Sequence, residues 1–139
     1  MACPGSRHQL SRMRRPRVLV LEHHRDLRDA LVDALLDEGY VVTPAPTAAA
    51  ALSAIATAGD DQLPDAVVVD AQDGAGLVSQ LRRQPRLAGI ASVTLSCAFD
   101  PPSEADADVR RPFRLEELLE AVRVALARRL WAGDQPAPA

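Results

Sequence analysis

Apolar positions along this chain follow two periods, and the two alternate. Val18 to Leu21 is a short unbroken run rich in β-branched residues, and "DAVVVD", ending at Asp70, and "IASVTLS", ending at Ser96, are two more. Runs of this length without a polar alternation fit strands covered on both faces. Between them the spacing changes. "RDLRDALVDALLDEGY" places Leu27, Ala30, Leu31, Ala34 and Leu35 at helical intervals with Gly39 as a stop, and "PTAAAALSAIATAG" predicts a helix capped by Thr47 and ended by Gly59. "YVVT" reads as a strand, "DVRRPF" as a brief last strand, and "RLEELLEAVRVALARRL" as an amphipathic helix with Leu115, Leu118, Leu119, Val122 and Leu126 on one face. After Asp70, Gly74 and Gly76 are expected to break the chain before a short helix in "LVSQLRR". "CAFDPPSEADA", with two adjacent prolines and three carboxylates, predicts a loop or a single helical turn.

Strands alternating with helices imply right-handed crossovers and an α/β fold, a doubly wound parallel sheet with helices on both faces. Such sheets bind ligands outside the carboxyl ends of their strands. Glu22, His23, His24, Asp70, Ser96 and Arg111 all fall at such ends and open onto one edge. This convergence is the functional signal.

Charge narrows the functional classes. All 16 basic residues are Arg, and five of them, Arg7, Arg12, Arg14, Arg15 and Arg17, precede the first acidic residue, Glu22. From residue 18 onward eleven Arg face nineteen carboxylates, a net −8. A body this acidic is a poor nucleic-acid binder, so a nucleic-acid role would rest on the arm alone, and residues 1–16 read as a disordered basic leader, so no nucleic-acid partner is expected. Residues 131–139, rich in Pro and Ala, read as a disordered tail, leaving 17–130 as a single domain.

No run has the length and apolarity of a signal peptide or membrane span, so a cytoplasmic location and no membrane role are expected. Cys3 and Cys97 read as free thiols. The chain has no GxGxxG, phosphate-binding loop, GxSxG elbow or CxxC, and no base is placed to activate Ser96 or Cys97. A hydrolytic enzyme is not expected.

The pieces "VLVLEHHRDLRDALVDALLDEGY", "PDAVVVD", "LRRQPRLAGIASVTLS" and "RRPFRLEELLEAVRVAL" together resemble the receiver domain of bacterial response regulators, from Arg17 to about Leu130. That resemblance implies a flavodoxin-like five-stranded sheet in the order 2-1-3-4-5. It also implies phosphoryl transfer from a histidine kinase to an aspartate ending the third strand, here Asp70. A divalent metal would be held by two acidic residues after the first strand, by Asp70, and by a backbone carbonyl that falls on Gln72. Ser96 takes the place of the hydroxyl that senses the phosphate, and Arg111, followed by Pro112 and Phe113, that of the family's Lys.

Several positions depart from the family pattern. Glu22 keeps the first carboxylate, but His23 takes the second, and Mg²⁺ prefers hard oxygen donors in tight octahedral geometry. Weak Mg²⁺ binding is therefore expected. Arg111 forks onto carboxylates, so an ion pair with Asp70 is expected in place of a released side chain. The chain is short after Asp70, and short again before Arg111, so the family's fourth helix is expected to be short or missing. The aromatic switch residue aligns with Asp108.

Three readings meet at the histidines. Both are solvated loop residues; or His23 is a surrogate cation facing Glu22 and Asp70; or His23, Glu22 and Asp70 hold a transition metal. The surrogate cation is preferred for His23 and the solvated reading for His24. Together these features predict an atypical stand-alone receiver module in two-component or phosphorelay signalling, acting through a protein partner, a histidine kinase or a downstream regulator, with Mg²⁺-dependent phosphorylation impaired. The alternative is a working receiver phosphorylated on Asp70.

Overall fold

The computed structural model of the protein describes residues 14–98, 100 and 104–134. Strands β1 (Arg17–Leu21), β2 (Val41–Ala45), β3 (Ala66–Asp70), β4 (Ala91–Ser96) and β5 (Ala107–Arg110) form one sheet in the order β2-β1-β3-β4-β5. Every neighbouring pair is parallel. Helices α1 (Arg25–Asp37), α2 (Ala48–Thr57), α3 (Ala71–Arg83) and α4 (Leu115–Asp134) supply the crossovers and the closing layer. This is the doubly wound α/β fold and the strand order that the sequence leads one to expect.

The unbroken apolar runs are explained by two cores. Successive strand residues point to opposite faces, so Val18, Val20, Val68, Val93 and Leu95 pack with Leu31 and Leu35 of α1 and Leu118, Val122 and Ala125 of α4. Leu19, Leu21, Val67 and Val69 pack on the other face with Ala51 and Ile55 of α2 and Leu77, Val78 and Leu81 of α3. β2 lies at the sheet edge, where Pro44 is tolerated because no ladder hydrogen bond is lost there. The α1 stop is Gly39, whose φ of 92° favours a residue without Cβ. Thr47 caps α2 as predicted, its Oγ1 accepting from the Ala50 N–H at 3.0 Å.

The expected break at Gly74 and Gly76 does not occur. α3 begins at Ala71, immediately after β3, and runs through both glycines. Asp70 is its N-cap, its Oδ1 accepting from the Gln72 N–H at 2.8 Å. Asp73 in the first turn and Arg82 and Arg83 in the last complement the helix dipole. Gly74 lies so close to the sheet that a Cβ on it would sit 2.5 Å from Val69 Cβ. It is a packing glycine, and it lets the helix fold directly back onto the strand that precedes it.

The last helix also differs in detail. Its buried centre is Leu118, Val122 and Ala125, while Leu115 is 41% exposed, because the inward face lies one step round from the line drawn through Leu115. The helix continues past Leu130, the expected domain end, to Asp134, and residues 135–139 lie outside the described residues. In the expected leader, Arg14 Nη1 donates to the Asp61 carbonyl at 2.8 Å and Nη2 lies 3.5 Å from Asp65 Oδ1, while residues 1–13 lie outside the described residues.

Between Ser96 and Ala107 the described residues hold no helix. The strands on that side have adapted. β4 turns Ala91, Val93 and Leu95 to the α1–α4 core, and its alternate residues, Ser92, Thr94 and Ser96, carry hydroxyls on the opposite face. β5 sets Asp108 opposite Thr94 in the parallel register. Arg82 of α3 and Arg129 of α4 close on Asp106 just before β5, at 3.1 and 2.9 Å. Polar pairs thus occupy sheet surface at the β4–β5 end of the α2–α3 face.

Candidate functional site

Parallel strands bring their carboxyl ends to one edge. Glu22 follows β1, Asp70 closes β3, Ser96 closes β4 and Arg111 follows β5. Two backbone bonds extend the ladders by one residue and hold these positions in line: the Glu22 N–H donates to the Ala45 carbonyl at 3.1 Å, and the Arg111 N–H to the Ser96 carbonyl at 2.8 Å. Glu22 is completely buried and Asp70 is 7% exposed.

Two buried carboxylates require compensating charge. Arg111 supplies it. Its Nη2 lies 3.2 Å from Glu22 Oε2 and 3.5 Å from Asp70 Oδ2, so one guanidinium bridges both. Its Cζ sits 5.9 Å from the Phe113 ring centroid, within reach of a cation–π attraction. The ion pair expected between Arg111 and Asp70 is present, and Glu22 is its nearer member. Both Asp70 oxygens are therefore engaged, Oδ1 by the α3 cap and Oδ2 by Arg111.

His23 lies beside this group and not inside it. Its Nδ1 is 2.9 Å from Asp73 Oδ2 and 3.7 Å from Glu22 Oε1. Asp73 is the partner that sequence reasoning missed, because a loop was expected where α3 begins. The signal was present: an Asp at the cap position followed three residues later by a second acid is close to a capping box. His24 is exposed, as expected, and its ring centroid lies 4.1 Å from that of His23.

Ser96 stands at its predicted place with its hydroxyl turned to a different partner. Oγ donates to Asp108 Oδ2 at 2.9 Å, and Thr94 Oγ1 donates to Asp108 Oδ1 at 2.6 Å. A hydroxyl has one proton, and here it is committed to β5. Gln72 falls in the first turn of α3, where backbone carbonyls point along the helix axis toward its C-terminus.

The receiver fold implies Mg²⁺ at this edge, and the residues present do not fit it. Mg²⁺ demands near-ideal octahedral oxygen coordination. Here a guanidinium already contacts both Glu22 and Asp70, an imidazole stands where a second carboxylate is needed, and the Gln72 carbonyl belongs to a helix. The site can hold its acidic groups together without metal.

No family model matches the sequence, and no curated protein is significantly similar to it. Solved structures are. A protein described as a response regulator from Chloroflexus aurantiacus J-10-fl is 25% identical over 83% of this chain and 100% of its own, with a TM-score of 0.73. A CheY-like response regulator receiver domain protein from Methanospirillum hungatei JF-1 is 20% identical over 86% of this chain and 99% of its own, with a TM-score of 0.71. The signal receiver domain of a histidine kinase from Syntrophus aciditrophicus is 20% identical over 89% and 96%, with a TM-score of 0.70. The fold of this chain is that of the response regulator receiver domains.

Proposed function

We propose that this chain is an atypical receiver module of two-component or phosphorelay signalling that acts by binding a protein partner, with its acidic pocket set by Arg111 in place of metal and phosphorylation. One observation carries the reading: Arg111 Nη2 contacts both Glu22 and Asp70. Phosphoryl transfer to a carboxylate needs a free nucleophile and positive charge arranged around the incoming phosphoryl group. In this pocket the cation neutralises the resting carboxylates, and the Asp70 oxygens have partners already.

Ser96 supports the same reading, since its proton goes to Asp108 and not toward Asp70. Among the described residues no helix is long and apolar enough to cross a membrane, and the acidic body argues against nucleic acid. Recognition by another protein is the remaining output, in keeping with a cytoplasmic module that is not an enzyme. Its partner would be a histidine kinase or a downstream regulator.

The test is intact-protein mass spectrometry after incubation with acetyl phosphate and Mg²⁺, beside Asp70→Asn. The expected result is no phosphoryl adduct on a folded protein. An adduct on the unsubstituted protein that Asp70→Asn lacks would replace this reading with that of a receiver phosphorylated on Asp70.

A further inference from the structure

The sheet ends in two edge strands that are not equivalent. β2 carries Pro44, which has no N–H to offer a further strand. β5 has no proline between Ala107 and Arg110. The Arg111 N–H donates to the Ser96 carbonyl, and successive strand residues turn their backbone groups to opposite sides. Val109 therefore faces β4, while the N–H and C=O of Asp108 and Arg110 point away from the sheet. Among the described residues no strand pairs with β5 on that side, and no helix lies between Ser96 and Ala107 to cover it. The Asp108 and Arg110 side chains are 37% and 62% exposed, and Arg110 Nε is 3.7 Å from Asp108 Oδ2, beyond hydrogen-bond range.

We propose that two copies of this chain associate through β5, which pairs antiparallel with β5 of the second copy and joins the two sheets into one. Charge complementarity is the first reason. A twofold axis beside Val109 sets Asp108 opposite Arg110 of the partner subunit, and the reverse, so the outward backbone groups meet and opposite charges face each other on one side of the sheet. Moving the axis to Asp108 or to Arg110 would set like charges opposite. The alternation of charge thus selects one register.

The second reason is α4. Arg128 Nη1 donates to the Asp106 carbonyl at 3.2 Å, which turns the flank carrying Glu117, Ala121, Val124 and Arg128 toward β5. Arg123, on the other flank, interacts with Tyr40 and Glu38 just after α1. Val124 is 40% exposed. The same twofold runs the two α4 helices antiparallel on one face of the joined sheet. α4 packs on both β4 and β5, so a strand spacing of about 4.8 Å puts the two helix axes about 10 Å apart, at packing distance. Since α4 returns antiparallel to β5, the residues level with Val109 lie about seven before Arg128. The helix contact then centres on Ala121 and Val124, with Glu117 facing Arg128 of the partner subunit. The axis consumes the open edge of each copy and Pro44 blunts the other, so the assembly closes at two. None of this depends on whether Asp70 takes a phosphoryl group.

The test is sedimentation velocity of the full chain across the micromolar range, beside Arg110→Glu, Arg110→Pro and Val124→Glu. The expected result is a concentration-dependent approach to twice the chain mass, weakened about tenfold or more by each substitution. Arg110→Glu sets like charges opposite. Arg110→Pro removes an N–H that points out of the sheet, so it blocks pairing while the bonds to β4 remain. Circular dichroism checks that the variants keep their fold, and the two glutamate variants carry the comparison where the proline variant loses it. A chain that stays monomeric across that range overturns the inference. So does a dimer that Arg110→Glu and Val124→Glu leave unchanged, or a series of larger assemblies, which would show an open contact in place of a closed one.

Discussion

Arg111 Nη2 lies 3.2 Å from Glu22 Oε2, joining two residues 89 positions apart, and the Glu22 side chain it meets has no exposed surface. Breaking such a contact leaves a buried charge uncompensated, which costs about 3–5 kcal/mol where both partners are buried. The Arg111 side chain is 28% exposed, so water offsets part of the loss. Arg111→Ala is expected to lower stability by about 3 kcal/mol, measured as a shift of the urea midpoint. Glu22→Gln combined with Arg111→Met removes that pair of charges and should recover part of the loss, the remainder staying with Asp70, whose Oδ2 lies 3.5 Å from the same Nη2. A loss below about 1 kcal/mol in Arg111→Ala would place the pair among weak surface contacts.

Asp108 accepts from two hydroxyls on the neighbouring strand. Asp108→Ala takes the acceptor from Ser96, which is only 4% exposed, and a stranded buried hydroxyl costs about 1–3 kcal/mol. Adding Ser96→Ala to that variant should restore part of the stability, since removing both partners is cheaper than removing one. A double-mutant cycle with no coupling between the two positions would contradict the hydrogen bond.

Gly74 and Gly76 lie two positions apart on α3, and opposite outcomes are expected. At Gly74 a Cβ would meet buried Val69 at 2.5 Å, so Gly74→Ala forces helix and strand apart. Overpacking of this kind costs about 1–3 kcal/mol. Gly76 has nothing within 4 Å of the corresponding position, so Gly76→Ala should stabilise by up to about 1 kcal/mol through helix propensity. Thermal midpoints that moved in the same direction for both would argue against the direct β3–α3 junction.

Asp106 governs part of the acid response. Burial opposes its ionisation, but hydrogen bonds from Arg129, the Ser92 N–H and Arg82, together with the Arg129 charge, outweigh it and hold the carboxyl below its ordinary value of 3.8. A depressed folded-state pKa means that the unfolded chain binds the proton first as pH falls. The stabilisation is therefore complete above the ordinary value and is lost as pH falls through the lower folded value. The advantage of the wild type over Asp106→Asn, measured by urea unfolding across the acid range, should be constant near neutrality and shrink below pH about 4. A difference that grew with acidity would reverse the sign of this account.

Most of the fold can be read from the chain itself. Apolar period decides strand against helix, and three strands buried on both faces leave runs such as "VLVL" and "AVVV" that have no other economical explanation. Alternation of the two element types leads to the parallel sheet, and the parallel sheet brings Glu22, Asp70, Ser96 and Arg111 to one edge. Those inferences rest on local periodicity and on rules of chain connection, both of which are written in sequence order.

Tertiary structure alone decided the pairing at that edge. Gly74 reads locally as a breaker, and only its approach to Val69 shows that a glycine there permits a helix to start at once. Asp73 became the neighbour of His23, and Asp108 the partner of Thr94 and Ser96, through helix phase and strand register. Arg111 bridges Glu22 and Asp70 because β1, β3 and β5 end at the same level. Hydrogen bonds and ion pairs act over about 3–4 Å, so which groups share a charge or a proton depends on packing distances between elements, and those distances leave no periodic trace in the sequence.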